Sequence, residues 1–162
     1  MEELCYGVMA VVLIVAVVMD LREDRISNKW MCFGFFFALE YRFAKATGWF
    51  LSCETWLELW NLGLSGMGNA LRYAFWVFLI LFPLFCIKGI GGGDIKLLCI
   101  FSMFLPGQEI ALVLGSFLVG GVLGIGKLIM NAWKGVKGKG ETIHFSLAIA
   151  ISVCMTFVLN YG

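Results

Sequence analysis

Charged side chains are scarce in this chain of 162 residues, at 14%, whereas 61% of the residues are hydrophobic. Soluble domains carry about 25% charged residues, so this chain has too few polar groups to cover a folded surface in water. Several apolar runs approach the ~20 residues that a helix needs to cross a bilayer. The composition therefore excludes an ordinary soluble domain. It predicts an all-α, polytopic membrane bundle in which residues 1–162 form a single domain.

Other absences narrow the function classes further. A net charge of +1 provides no basic field for nucleic acid. The six cysteines are scattered and form no CxxC pair, so a zinc or redox motif is not expected, and no metal or organic cofactor is implied. Glu2 and Glu3 stand where a signal peptide would carry basic residues, so the first apolar run is expected to remain as a membrane helix.

The apolar stretches divide the chain into six candidate spans: about residues 4–20, 29–47, 70–87, 94–105, 108–130 and 142–159. Residues 48–68 carry tryptophans among polar residues, which favours a separate amphipathic segment at the membrane interface. The fifth span is rich in glycine, with Gly115, Gly120, Gly121, Gly124 and Gly126. Small residues at such spacing predict close packing against a neighbouring helix.

The distribution of Lys and Arg predicts the orientation of these spans. Nine Lys and Arg residues flank the loops after the first, third and fifth spans, and three lie on the opposite side. Positively charged loops stay in the cytoplasm, so both termini are expected to face outward. The expected location is the cell (inner or plasma) membrane, crossed several times.

The predicted topology singles out Asp20 and Asp94 as candidate functional residues. Asp20 closes the first span and Asp94 opens the fourth, and both ends are expected at the cytosolic face. Ionisable groups are costly near the membrane interior, so each requires a role. Two close carboxylates do not both ionise easily; one keeps a proton while the other activates water. This chemistry predicts an aspartic protease.

The residues around Asp94 fit an extended peptide substrate. Gly89 and Gly91–Gly93 precede Asp94. Glycines permit positive φ angles and close backbone approach, which would leave room for a substrate strand. Lys96 follows two positions later and is expected to neutralise local charge or to contact lipid headgroups.

The quoted motifs resemble a known family. Gly91-Gly92-Gly93-Asp94 matches the GxGD motif of intramembrane aspartyl proteases. The stretch from Asp20 to Asn28 resembles the first-aspartate motif of type IV prepilin peptidases, in which Asn or Asp stands eight positions after the catalytic Asp. Ser27 replaces the proline of that motif, and serine also suits a turn or a helix start. Residues 143–148 resemble the start of the family's last helix, without its prolines.

This resemblance implies specific roles and partners. Asp20 and Asp94 are the implied catalytic pair, and the implied substrate-binding residues are Gly91, Gly92, Gly93, Lys96 and Asn28. The implied activity is removal of the basic leader from type IV-like prepilins at the cytosolic membrane face. The chain lacks the CxxC-bearing segment of the methylating members, so a peptidase without methylase activity is expected. The expected partners are a prepilin-like membrane protein and the lipid bilayer, with a homo-oligomer left open.

Simpler interpretations of the same residues stay open. Asp20 could be a helix-end charge that reaches the interface, and the helix N-terminus alone could favour Asp94. Asp24 is the nearest rival for the first aspartate, although pairing with Arg25 or with water is the simpler interpretation. His144, the single histidine, is expected at the interface at the start of the sixth span.

Two further function classes also stay open. A small ion-coupled transporter could use a buried Asp pair and a broken helix to bind a cation or a proton. A non-catalytic membrane assembly subunit is the other class. Placement of both aspartates at one membrane face, rather than at the midplane, favours the peptidase.

Overall fold

The computed structural model describes residues 2–23, 26–48, 56–87, 89–105, 107–133 and 145–161. These residues form helices α1 (Glu2–Glu23), α2 (Asn28–Ala46), α3 (Trp56–Cys86), α4 (Gly92–Phe104), α5 (Glu109–Trp133) and α6 (Phe145–Tyr161). The part of the chain that is described contains no strand, which confirms the all-α prediction. The expectations for Asp24, Arg25 and His144 concern residues outside the described ranges.

Two of the described helices are long and apolar enough to cross a membrane. They are α3 and the segment Glu109–Lys127 of α5. Phe145–Leu159 in α6 is a shorter apolar helix. The crossing of the bilayer by all six helices therefore stays a prediction.

Helix α3 begins earlier than the sequence pattern predicts. Residues 48–68 were expected to form a segment separate from the third span, but one continuous helix runs from Trp56 to Cys86. Gly63 and Gly66 in this region are buried, and the helix continues through them. A Cβ on Gly66 would lie 2.5 Å from the Ala46 Cβ and 2.7 Å from the Arg42 carbonyl oxygen. Gly66 thus lets the first half of α3 pack directly against the end of α2.

The short helix α4 forms the centre of the hydrophobic core. Its buried residues are Ile95, Leu97, Leu98, Ile100, Phe101, Ser102, Met103 and Phe104. A helix buried on nearly all sides must be surrounded by other helices, and α2, α3, α5 and α6 all contact α4. The core therefore fixes the position of the first turn of α4, where Asp94 lies.

Two of the predicted packing glycines bring α5 and α6 together. A Cβ on Gly115 would lie 2.5 Å from the Ser152 Oγ, and one on Gly120 would lie 2.7 Å from the Phe145 ring. Gly121 and Gly126 have nothing within 4 Å of the corresponding position. Only one face of the glycine-rich stretch therefore packs closely, and that face positions the beginning of α6.

Helices α1 and α2 are joined by a specific polar contact. The indole Nε1 of Trp30 donates a hydrogen bond to the Val12 carbonyl oxygen at 3.2 Å. Gly34 faces the Val12 side chain, so the two helices can approach closely. Ser27 is the N-cap of α2 with an extended backbone, which agrees with the expected helix start there.

Candidate active site

Asp20 and Asp94 line one small cavity although 74 positions separate them in the sequence. The cavity has a volume of about 300 Å³. Its lining residues are Asp20, Ile26, Asn28, Met31, Gly91, Gly92, Gly93, Asp94 and Lys96. The structure therefore brings all seven site residues named from the sequence to the same place, at the end of α1 and the beginnings of α2 and α4.

Local helix geometry holds the Asp94 side chain. Gly91 is the N-cap of α4, so Asp94 is the third residue of the helix. The Asp94 carboxylate accepts a hydrogen bond from the Gly91 backbone N–H. An acidic residue at this position that reaches back to the N-cap N–H is one half of a capping box. The start of α4 thus orients this carboxylate toward the cavity-lining glycines.

The glycine run acts through its small size and not through positive φ angles. Gly91 has φ −74° and ψ 144°, which any residue can adopt. The described glycines with positive φ are Gly48 and Gly107, so the glycines before Asp94 do not use the left-handed conformation that glycine permits. A Cβ on Gly91 would lie 2.9 Å from Asp94 Oδ2. The absence of a side chain at Gly91 therefore keeps the carboxylate in place.

The surroundings of Asp94 favour its protonated form. This half-buried residue lies in the first turn of α4, outside the two helices that are apolar enough to cross a membrane. Burial raises the pKa of Asp94, the negative charge of Asp20 raises it further, and the hydrogen bond from Gly91 opposes both effects. The negative charge of Asp20 therefore acts on the ionisation of Asp94 within the shared cavity.

Ser146 is a site residue that the sequence did not identify. Its hydroxyl donates a hydrogen bond of 2.5 Å to Asp20 Oδ2, from 126 positions away. Ser146 is fully buried in the first turn of α6. It lies in the segment 143–148 that resembles the start of the family's last helix, and that partial match was the one signal pointing to this segment. Helix α6 thus contributes directly to the orientation of the first aspartate.

Asn28 and Lys96 join two sides of the cavity. The Lys96 ammonium donates a hydrogen bond to Asn28 Oδ1 at 2.9 Å. Asn28 is the first residue of α2, and Lys96 lies in α4 two positions after Asp94. The bond therefore holds the start of α2 beside the start of α4, and it places one positive charge at the edge of an acidic cavity.

The described part of the chain is all-helical. Asp20 from α1 and Asp94 from α4 line one cavity in it. Residues 7–125 match the model of the type IV leader peptidase family, and the chain belongs to that family. Membership in a leader peptidase family supports a protease function for this chain. No curated protein and no solved structure matches the chain significantly. The matched residues end before α6, so they do not include Ser146.

The first prediction concerns Gly91. We expect Gly91→Ala to lower kcat about tenfold with little change in stability, because the new methyl group would push the flexible Asp94 carboxylate aside while the backbone angles suit alanine. Cleavage rate and thermal unfolding of the purified variant measure the two effects separately.

Gly121→Ala is the matched control, because a Cβ at Gly121 would have nothing within 4 Å. This variant should cleave like the wild type. Equal activity of both variants would show that Gly91 does not control the position of Asp94.

Proposed function

We propose that this chain is an aspartic endopeptidase that removes the basic leader peptide of type IV prepilin-like proteins at the cytosolic face of the cell membrane. The observation that carries the proposal is the shared cavity of Asp20 and Asp94 in a member of the type IV leader peptidase family. The family match supports the substrate class, and the paired carboxyl groups support the chemistry.

In the proposed reaction, Asp20 is the ionised general base and Asp94 is the protonated general acid. Asp20 takes a proton from water, and the resulting hydroxide attacks the carbonyl carbon of the scissile peptide bond. Asp94 gives its proton to the carbonyl oxygen, which yields a neutral tetrahedral diol. Collapse of this intermediate breaks the C–N bond, the proton held by Asp20 passes to the leaving amine, and a diol proton returns to Asp94.

The surroundings of each carboxyl group support these assignments. Asp94 is half-buried and lies near the negative charge of Asp20, and both effects favour its protonated form. Asp20 accepts a hydrogen bond from the Ser146 hydroxyl, which donates most strongly to a carboxylate. We therefore assign the transferable proton to Asp94 and the role of base to Asp20, as general acid–base catalysis requires.

The proposed membrane arrangement follows from the chain topology. Asp20 lies near the end of α1 and Asp94 at the start of α4, and α2 and α3 carry the chain away from this side and back. We propose that all six helices cross or enter the bilayer, with the aspartate ends on the side that carries most Lys and Arg. No observation favours the ion-coupled transporter.

Co-expression with a prepilin-like substrate tests this function. The wild-type chain should convert the substrate to a shorter form, and mass spectrometry of the product should show a free, unmethylated N-terminal amine. An unprocessed substrate in the presence of correctly inserted wild-type protein would refute the proposed function. A methylated product would refute the proposed absence of methylase activity.

A second prediction concerns Ser146 as a positioning residue. We expect Ser146→Ala to lower kcat about tenfold, because a hydrogen bond to a charged group contributes ~1.5–3 kcal/mol and its loss lets the Asp20 carboxylate rotate. KM should change little, since Ser146 is fully buried and does not line the cavity. Steady-state kinetics on a detergent-solubilised or reconstituted enzyme separates the two constants.

Ser146→Thr restores the hydroxyl and should recover most of the lost kcat. A rise in KM with unchanged kcat, or no difference between the Ala and Thr variants, would contradict the positioning role.

A further inference from the structure

An apolar groove adjoins the aspartate cavity. It lies between α2, α3 and α4 and has a volume of about 600 Å³. The groove and the cavity share three lining residues, Asn28, Met31 and Lys96. The two spaces therefore meet at the hydrogen bond between Lys96 and Asn28.

The lining of the groove changes character along its length. Its polar groups, Asn28 and Lys96, lie at the end next to the aspartates. Beyond them the lining is apolar, with aromatic rings such as Phe35 and Phe78 on its walls. Ala74 also lines the groove, and small residues allow a further helix to approach closely. An occupant must therefore be apolar along most of its length.

The dimensions of the groove correspond to a short piece of helix. On α2 the lining runs from Asn28 to Phe35, which are seven positions apart. At a rise of 1.5 Å per residue, this distance is about 10 Å, or roughly two turns of an α-helix. The groove is open along one side, because Cys32, Leu71 and Phe75 are exposed. A helix could therefore enter sideways, from within the bilayer.

Resting on the proposed peptidase function, we propose that this groove binds the first turns of the substrate's apolar helix, directly after the scissile bond. The continuity with the aspartate cavity selects this occupant over a lipid acyl chain. A peptide whose scissile bond lies at Asp20 and Asp94 must leave the cavity through a neighbouring space, and the groove begins there. Binding the helix in the groove would hold the scissile bond beside both carboxyl groups.

A second apolar pocket is not connected to the aspartate cavity in this way. It lies between α3 and α5, has a volume of about 510 Å³, and is lined by residues such as Trp76 and Leu114. It shares no lining residue with the aspartate cavity. The connection to the catalytic cavity distinguishes the groove from this pocket.

Two exposed cysteines provide a matched test of occupancy. Cys32 lines the groove, whereas Cys154 lies on α6 and lines neither the groove nor the cavity. Cys32→Trp should obstruct the groove and lower kcat/KM for the full-length substrate roughly tenfold, mainly through KM. Cys154→Trp adds the same ring to an exposed surface and should leave kcat/KM unchanged.

Disulfide cross-linking identifies the occupant directly. In an Asp94→Asn background, one chain retains only Cys32 and another retains only Cys154, and each is oxidised with substrates that carry single cysteines along the apolar helix. We expect Cys32 to cross-link to positions three or four residues apart in the first turns of that helix. Cys154 should give no such pattern.

The outcomes separate this proposal from the proposed function. Unchanged kcat/KM in Cys32→Trp, as expected if only lipid fills the groove, would overturn the groove assignment while the peptidase function stands. Cross-links that favour Cys154, or none to Cys32, would also overturn it. Absence of cleavage by the wild-type chain would instead refute the peptidase function, and the groove assignment with it.

Discussion

Asp94→Asn is expected to abolish processing of a co-expressed prepilin. Asparagine keeps the size of the side chain but cannot give a proton to the carbonyl oxygen, and general acid–base catalysis contributes about 10²–10⁴-fold to rates of this kind. The variant should still fold, because an amide oxygen can accept the Gly91 N–H hydrogen bond as the carboxylate does. A mobility shift of the substrate on gels measures the loss, and immunoblotting of the membrane fraction confirms that the variant is present.

Asp20→Asn should show the same loss for a different reason. An amide cannot take a proton from water, so the attacking hydroxide would not form. Glu23→Gln is the matched control, because Glu23 is an exposed carboxylate in the same helix and does not line the cavity. Full processing by either Asp variant, or equal loss in the Glu23 control, would contradict the assigned roles.

Gly66→Ala should have the largest effect on stability. The added methyl group would lie 2.5 Å from the Ala46 Cβ and 2.7 Å from the Arg42 carbonyl oxygen. Because backbone cannot move aside cheaply, α2 and α3 would have to separate, and overpacking of this kind costs about 1–3 kcal/mol. Denaturant unfolding of the detergent-solubilised protein should show a lower free energy of unfolding.

Gly68→Ala is the matched control, which separates the effect of the clash on stability from the effect of helix propensity. Gly68 is exposed on the same helix, and a Cβ there would have nothing within 4 Å. Both substitutions gain the same helix propensity of about 1 kcal/mol, so the difference between them reports the contact of α3 with α2. Equal stability of the two variants would show that the first half of α3 does not pack against α2.

The pairing of Asp20 and Asp94 could be predicted because it depends on topology and not on packing detail. The chain leaves the site after α1, runs out along α2 and returns along α3 before α4 begins. Two intervening helices must return the chain to the same side, and this result does not depend on the exact residue at which each helix ends. The alternation of Lys and Arg along the chain predicted that the two aspartates lie on one side.

Other features depend on contacts that a single sequence does not mark. Ser146 is one of many small residues in apolar helices, and its role becomes visible only when Gly115 and Gly120 bring α6 against α5. The continuity of α3 was missed because residues 48–68 carry tryptophans among polar residues, and the contact of Gly66 with α2 is not visible in the sequence. The groove was missed for the same reason, since three helices form it together.

Cleavage by a double variant tests the central claim most directly. If Asp20 and Asp94 act on one water molecule as a unit, either Asn substitution alone removes the same catalytic step. Single-turnover cleavage by Asp20→Asn, Asp94→Asn and the double variant should then give equally low residual rates. A double variant whose loss of rate is the product of the two single losses would contradict a shared catalytic pair. A single variant that cleaves near the wild-type rate would contradict it as well.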